Sequence, residues 1–193
     1  MIIRPLYIER EIIPPEPEPE PYPFDQVTIG TQTWTSKNLE MDDGQGGVYI
    51  FNNVTTPNNE YNMGTQYYYT WEAAVRIVET IPGWHLATNE EANTLVSYLG
   101  TNPAQKLKST TIWSNPGTDD YGFNALPCGE YSVGSGPSQL GNVGLSAKYW
   151  LIDKGQWTNS GNYIGLNTSS NNIDVPTTNY SANCLQVRLI KDT

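Results

Sequence analysis

Apolar and polar residues alternate at both ends of the patterned part of the chain. Near its start, Val27-Thr28-Ile29 and Gln32-Thr33-Trp34 flank the turn dipeptide Gly30-Thr31, which predicts a β-hairpin. Near its end, residues 185–190 alternate in a similar way, as strands do. We expect this last segment to form a central strand that closes the sheet against the hairpin.

Two segments between these ends repeat apolar residues at the spacing of an amphipathic helix. The apolar residues stand at positions i, i+3, i+4 and i+7, namely Trp71, Ala74, Val75 and Val78 in the first segment and Ala92, Leu95, Val96 and Leu99 in the second. Thr70 is a candidate N-cap for the first helix. The second helix has stronger signals, because Thr88 and Glu91 match a capping box and Gly100 follows the last apolar residue. We therefore predict two helices that pack on a twisted antiparallel sheet.

The stretch from residue 114 to residue 183 is rich in Gly, Ser and Asn. Aromatic residues punctuate it, so we expect long ordered loops that aromatic side chains hold in place. Strands and helices in this arrangement are typical of an α+β domain. We predict an α+β head domain over residues 26–193.

The N-terminal part of the chain has a different composition. Residues 14–23 read PPEPEPEPYP, which predicts a semi-rigid polyproline II spacer, assigned here to residues 14–25. Residues 1–13 form an arm too small for a core of its own. Its apolar residues are Ile2, Ile3, Leu6, Tyr7, Ile8, Ile12 and Ile13. We expect this arm to dock on another protein, or on sister copies in a homo-oligomer, by adding a strand to a sheet edge.

The 193 residues allow one domain of ordinary size. Ten Lys and Arg against twenty Asp and Glu give a formal net charge of −10. This charge argues against a nucleic-acid partner, because such binding depends on cationic side chains that neutralise phosphates. We also expect no membrane insertion and no export through a secretory signal, since the sequence lacks an apolar run of either type.

The two cysteines, Cys128 and Cys184, allow one internal disulfide. A chain without an export signal matures in a reducing compartment, where disulfides are rare. We therefore favour two buried thiols.

Catalytic and metal-binding patterns are weak. The one histidine, His85, lies between Trp84 and Leu86, which is more typical of a hydrogen-bonded structural residue than of a catalytic base. Asp42-Asp43 and Asp119-Asp120 could supply calcium ligands or a glycosidase carboxylate pair, but neither has EF-hand spacing, and solvated loop carboxylates fit better. We expect a protein that is not an enzyme and that carries no metal or cofactor.

Aromatic residues are the most informative candidates for binding. The chain has six Trp and thirteen Tyr but three Phe, and Tyr and Trp are enriched at binding surfaces and sugar platforms. Four tryptophans lie in patterned segments and are expected in the core: Trp34, Trp71, Trp84 and Trp113. The candidates for an exposed ligand-binding face lie in the polar second half: Tyr121, Tyr131, Tyr149, Trp157 and Tyr163.

Five motifs follow one another along the chain. They are VTIGTQTW at residues 27–34, YTWEAA at 69–74, PGWHLAT at 82–88, GFNALP at 122–127 and VRLIKD at 187–192. The series resembles the Fibrobacter succinogenes major paralogous domain family over residues 26–192. This resemblance implies a C-type-lectin-like fold related to the formylglycine-generating enzymes. It also implies that the domain is a module of bacterial surface proteins or of phages that infect Bacteroidetes.

Two positions depart from the pattern of that family. Cys128 stands where the family often has Gly after Ala-Leu-Pro, and Leu189 stands where it often has Cys. The copper-binding cysteine pair of the formylglycine-generating enzymes therefore does not carry over onto Cys128 and Cys184. The resemblance implies a fold and a binding role rather than an oxidase activity.

Together these observations favour a phage virion surface protein of head-fibre, tail-fibre or decoration type. Its arm would anchor it to other virion proteins, and its head would bind a glycan or protein on the host surface. Assembly in the host cytoplasm and release by lysis would explain a surface module without an export signal. The alternative is a bacterial cell-surface adhesin or lipoprotein module whose signal lies outside this sequence. An enzyme that acts on glycans or sulfatases ranks last.

Overall fold

The structure, a computed structural model, describes most of the chain from Pro23 to the C-terminus. The described residues are 23–57, 60–133, 137–155, 160–176, 180–181 and 183–193, with the backbone alone for residues 180 and 181. The docking arm expected at residues 1–13, most of the expected spacer and the candidate Trp157 lie outside them.

The described residues form an α+β fold, as predicted. The strands are β1 (Gln26–Ile29), β2 (Gln32–Thr35), β3 (Val48–Phe51), β4 (Gln66–Tyr69), β5 (Trp84–Leu86), β6 (Glu130–Ser132), β7 (Gln139–Gly141), β8 (Ser146–Lys154), β9 (Ser160–Asn167), β10 (Tyr180–Ser181), β11 (Asn183–Cys184) and β12 (Leu189–Lys191). The helices are α1 (Trp71–Val78), α2 (Asn89–Leu99) and α3 (Pro103–Leu107). Strand pairing within the sheets is antiparallel.

The first sheet joins the two ends of the described chain, in the strand order β1-β2-β12-β5. β1 and β2 form the predicted hairpin around Gly30-Thr31. β12 lies between β2 and β5, and Ile190 is opposite both Trp34 and His85. The C-terminal strand is therefore central, as its sequence predicts.

The segment that leads into β12 is buried on both sides. All six side chains of residues 185–190 are buried, including the polar Gln186 and Arg188. Before β12 begins, the segment forms bridges to Tyr69 on β4 and to Tyr149 on β8. The alternation in its sequence does not separate a core face from a solvent face, because the segment passes between other strands.

β8 and β9 form the largest strand pair of the described residues, in a sheet of order β10-β9-β8. The other sheets are β11-β6-β7 and the pair β3-β4. A bridge between Gly129 and Ala147 connects the start of β6 to β8. The stretch expected to form long loops, residues 114–183, thus contains β8 and β9, the two longest strands of the described residues, and the expectation is corrected to loops that connect strands.

Both predicted helices are confirmed, and a third is present. The Thr70 side chain accepts a hydrogen bond from the Ala73 N–H at the start of α1. Thr88 and Glu91 form the predicted capping box at the start of α2. The five-residue helix α3 was not predicted, because it is too short to show an apolar period. For the residues that the structure describes, the expectation of two helices is therefore corrected to three.

Two large buried clusters hold these elements together. The first joins the hairpin and α2 to β8 and β9 and includes Trp34 and Leu95. The second joins α1 and β5 to the segment before β12 and includes Ile77, Trp84 and Trp150. The core prediction is confirmed for Trp34, Trp84 and Trp113, which are at most 5% exposed, whereas Trp71 is half-buried.

The globular body begins two residues earlier than its composition indicates. Phe24 packs edge-on against Trp84, with ring centroids 5.4 Å apart. The Asp25 carbonyl accepts a hydrogen bond from the Ser36 N–H at 2.9 Å. Phe24 and Asp25 therefore belong to the head and not to the predicted spacer. Their contacts with the head determine their position, although they directly follow the prolines.

Candidate functional site

Tyr149, expected on an exposed binding face, is a core residue, and that expectation is wrong. Its side chain is 1% exposed, and its ring lies edge-on to that of Phe123 with centroids 5.8 Å apart. β8 is covered on both faces at this point, so successive side chains are buried. Burial raises the pKa of Tyr149 to about 12.

Tyr121, Tyr131 and Tyr163 are half-buried and have different neighbours. Tyr121 packs at the margin of the first core cluster beside the exposed Tyr98, with ring centroids 6.1 Å apart. Tyr131 contacts a tyrosine of β3, with centroids 4.7 Å apart. Tyr163 lies against the second cluster, and the Lys148 Nζ is 5.4 Å from its ring centroid. The ring contacts found for these three candidates are thus with other residues and not with one another.

A different set of side chains lines a concave site. Three loops form a groove of about 350 Å³, which we call the loop groove. It is lined by residues 56–57 and 60–61 after β3, residues 112–114 after α3, and residues 144–145 before β8. Pockets for small ligands usually measure roughly 300–1,000 Å³, so the loop groove has a suitable size.

Local hydrogen bonds hold the first wall of the loop groove. The Thr56 N–H donates to the Tyr61 carbonyl at 3.1 Å, and the Tyr61 N–H donates to the Thr56 hydroxyl at 3.3 Å. The first of these bonds, with that from the Met63 N–H to the Val54 carbonyl at 2.8 Å, forms the bridge between Thr55 and Asn62. The wall is therefore held across its base by three hydrogen bonds.

The wall before β8 depends on a glycine. Gly144 has a φ of +82°, and its N–H donates to the Pro127 carbonyl at 2.7 Å. A Cβ at Gly144 would lie 3.1 Å from the Pro57 ring. Glycine therefore allows both the turn and the close approach of the two walls.

The loop groove presents apolar surface beside polar groups. Tyr61 and Leu145 are 45% and 47% exposed, and Glu60 and Ser114 are also exposed. Trp113 forms a buried base, where its Nε1–H donates to the Ala125 carbonyl at 2.7 Å. The site thus combines apolar faces with a carboxylate and a hydroxyl group.

Tyr61 and Leu145 were not among the binding residues predicted from the sequence. Tyr61 is an isolated aromatic residue in the polar run PNNEYN, between two strands. An aromatic side chain in a turn-rich loop is a usable signal, because such loops lie on the surface and carry recognition. Leu145 has no comparable signal in the glycine-rich sequence around it.

His85 has two acidic partners. Its Nδ1 is 2.6 Å from an oxygen of Asp192, and its Nε2 is 3.0 Å from an oxygen of Glu91. Burial opposes ionisation of Glu91, but hydrogen bonds from Thr88 and His85 hold the pKa of that carboxyl below its usual value. Both ring nitrogens are thus occupied in contacts that join β5, α2 and the C-terminal end of the chain.

The acidic pairs considered as calcium ligands make local contacts. Arg76 donates two hydrogen bonds to the Asp43 carboxylate, and these bonds hold the pKa of Asp43 at about 2. An oxygen of Asp119 accepts the Asn124 N–H at 2.7 Å. Within the described ranges, no group of three or more His, Cys, Asp or Glu is arranged to hold a metal ion.

Comparison with family models identifies the chain. The model of the Fibrobacter succinogenes major domain matches residues 27–191, nearly the whole of the head. The protein belongs to the Fibrobacter succinogenes major domain family. Comparisons with curated proteins and with solved structures found no match. In the described part of this family member, no helix is long and apolar enough to cross a membrane.

The cysteines of this Fibrobacter succinogenes major domain are free thiols, as expected. Cys128 and Cys184 are both buried, and no disulfide joins them. Burial raises the pKa of each thiol to about 12. Both thiols are therefore protonated at neutral pH, a state with little nucleophilic or metal-binding reactivity.

Proposed function

We propose that this protein is a non-enzymatic surface-display protein whose head binds a glycan in the loop groove. The observation that carries the proposal is the exposure of Tyr61 and Leu145 at a groove that three loops assemble. Recognition sites are commonly built from loops on a rigid scaffold, and here β8 and β9 provide that scaffold.

The chemistry of the loop groove suits a sugar. A sugar ring has apolar C–H faces and a rim of hydroxyl groups, so it matches a site that combines aromatic or aliphatic surface with hydrogen-bonding groups. Tyr61 and Leu145 supply the apolar surface, and Glu60 and Ser114 supply an acceptor and a hydroxyl. Because tyrosine has few rotatable bonds, holding its ring against a ligand costs little conformational entropy.

Replacing Tyr61 tests the glycan proposal. We expect Tyr61→Ala to weaken binding to an array of bacterial surface polysaccharides at least about tenfold, because an aromatic anchor is worth 1.4 kcal/mol or more. Its melting temperature should stay close to that of the unaltered protein, since the side chain is 45% exposed.

Tyr98→Ala is the matched control, because Tyr98 is a 56% exposed tyrosine beside Tyr121 and outside the loop groove. It should leave binding unchanged. If Tyr98→Ala weakens binding and Tyr61→Ala does not, the ligand site lies near Tyr121 and the loop groove is the wrong site. Loss of binding in both variants, or in neither, would also contradict the proposal.

We propose further that the head is displayed on a virion, with the arm as its anchor. The proposal rests on the sequence of residues 1–23, an apolar segment followed by a Pro-Glu spacer. Ten residues of polyproline II extend about 31 Å, at about 3.1 Å per residue. That length would carry the head clear of the particle. Display on a bacterial cell surface is the competing proposal.

Removing residues 1–22 tests the anchoring role. The truncation keeps Phe24, which packs against Trp84, so we expect a folded head with nearly the same melting temperature. The truncated head should be absent from purified particles, as judged by mass spectrometry. A control in which a Gly-Ser linker replaces residues 14–22 keeps the arm and should incorporate normally. Incorporation of the truncated head would refute anchoring by the arm.

We infer a C-type-lectin-like topology for the head from three features. The strands near the two ends of the head lie side by side in one sheet, in the order β1-β2-β12-β5. α1 and α2 pack on separate core clusters, and long loops connect the strands of the second half. An experimental structure in which β12 does not lie beside β2 would refute this assignment.

A further inference from the structure

Arg188 is a buried cation with an unusual environment. Its side chain is 2% exposed, and its guanidinium carbon lies 4.6 Å from the ring centroid of Phe123 and 5.4 Å from that of Tyr149. A guanidinium group keeps its charge in nearly all protein environments. The fold therefore holds a positive charge in its interior, in a chain whose net charge is −10.

Neutral oxygen atoms surround that charge. Nε donates to the Asn38 Oδ1 at 2.8 Å, and Nη1 donates to the carbonyls of Thr35 and Phe123, each at 2.9 Å. Nη2 makes a longer bond, 3.4 Å, to the Asn124 carbonyl. The ion pairs formed by the described residues do not include Arg188. Its charge is thus solvated by dipoles, among them the Tyr149 hydroxyl beside the guanidinium, and Nη2 makes the longest of the four bonds.

Arg188 also lines a pocket of about 220 Å³, which we call the Arg188 pocket. Asn38 and Gln66 line the same pocket with their side-chain amides. The Asn38 Nδ2 donates to the Gln66 Oε1 at 3.0 Å, and the Gln66 Nε2 donates to the Met63 carbonyl at 2.7 Å. Each amide nitrogen carries two hydrogens, and each uses one of them in these bonds. Three side chains that carry N–H donors therefore line one small cavity.

The rim of the pocket carries charges of both signs. Lys37 and Glu40 both line it. Lys37 is paired with Asp25, with 2.7 Å between the Nζ and the carboxylate. The rim therefore adds no net positive charge, and the attraction for an anion comes from the buried Arg188.

We propose that the Arg188 pocket binds the carboxylate of an acidic sugar, such as a uronic acid. A planar carboxylate fits a guanidinium group, and hydrogen bonds between charged groups are stronger than those between neutral groups. The amides of Asn38 and Gln66 supply further donors for ring hydroxyls or for the second carboxylate oxygen. The site is separate from the loop groove, so the two sites can be tested independently.

Asn38→Asp is the decisive variant. An oxygen of the new carboxylate would occupy the position of the Asn38 Oδ1, which already accepts a hydrogen bond from Arg188 at 2.8 Å. Its negative charge would then form a buried ion pair with the guanidinium. We expect binding of glucuronate to weaken at least about tenfold. The melting temperature should change little, because the new ion pair with Arg188 offsets the loss of the Asn38 Nδ2–H bond to the Gln66 Oε1. Asn172→Asp adds the same charge on an exposed side chain outside the pocket and should bind glucuronate normally.

The measurements are titration calorimetry and the NMR shift of the Arg188 Nε–H, with glucuronate as the probe and glucose as its neutral counterpart. Glucuronate should move that resonance in a saturable way, and glucose should not. Leu126→Trp, which would fill the cavity without changing its charge, should weaken glucuronate binding as well. The proposal is refuted by equal responses to both sugars, by no saturable response to glucuronate, or by equal affinity in Asn38→Asp and Asn172→Asp.

Discussion

Gly129→Ala should destabilise the protein by roughly 3–5 kcal/mol, or prevent folding. Gly129 has a φ of +70°, and a Cβ there would lie 2.1 Å from the Gly141 carbonyl oxygen and 2.7 Å from the Val143 nitrogen. Both contacts are with backbone atoms, which cannot rotate away as a flexible side chain can. Gly129 also donates its N–H to the Ser146 carbonyl at 2.8 Å. A shift of the Gly129 backbone would therefore weaken the hydrogen bond that joins this loop to β8.

Gly64→Ala separates the cost of the clash from the cost of the backbone conformation. Gly64 has a similar φ of +74°, but a Cβ there would meet no heavy atom within 4 Å. This variant should lose about 1–2 kcal/mol, the cost of a left-handed conformation alone. Urea unfolding of both variants gives the comparison. Equal losses would show that the approach of Gly129 to Gly141 is not a close contact in the folded protein.

Arg188→Met should cost roughly 3–5 kcal/mol of stability. The substitution keeps an unbranched apolar stem but removes the donors to Asn38, Thr35 and Phe123. Each buried oxygen left without a donor costs about 1–3 kcal/mol. Arg188→Lys should also be destabilising, because a single ammonium group cannot reach all the oxygens that lie around the edge of the planar guanidinium.

Lys191→Met is the matched control. Lys191 lies in β12, the strand that also contains the last two residues of the buried segment 185–190. Lys191 is exposed, and its Nζ lies 5.9 Å from the Trp84 ring centroid. Its replacement should change stability by no more than about 0.5 kcal/mol. Guanidinium chloride unfolding followed by tryptophan fluorescence measures both variants. A comparable loss in the two would mean that the hydrogen bonds of Arg188 do not hold β2 and the Phe123 loop together.

Local patterns predicted the elements whose signals lie within one short segment. The hairpin at Gly30-Thr31, the capping box of α2 and the Thr70 cap of α1 depend on neighbouring residues, so their sequences were sufficient. α3 was missed, since five residues do not complete a periodic pattern. The head domain was also recognised from its motifs, which the family match confirms.

The binding residues could not be predicted in the same way. Tyr149 lies in the Gly-, Ser- and Asn-rich half of the chain and Tyr61 in the polar run PNNEYN, but one is 1% exposed and the other 45%. The difference arises because β8 is covered on both faces, whereas the loop after β3 reaches the surface. Exposure depends on which distant segment packs over a residue, and a single sequence contains little information about such contacts.

The sequence by itself determined the hairpin, two helices, the central place of the last strand and the family. These features depend on short-range hydrogen bonding, apolar spacing and ordered motifs. The tertiary structure alone decided that Arg188 is buried, that Tyr149 belongs to the core and that three distant loops form one groove. The reason is physical: burial and concave sites are made by contacts between residues far apart in the chain, whereas caps and turns are made by neighbours.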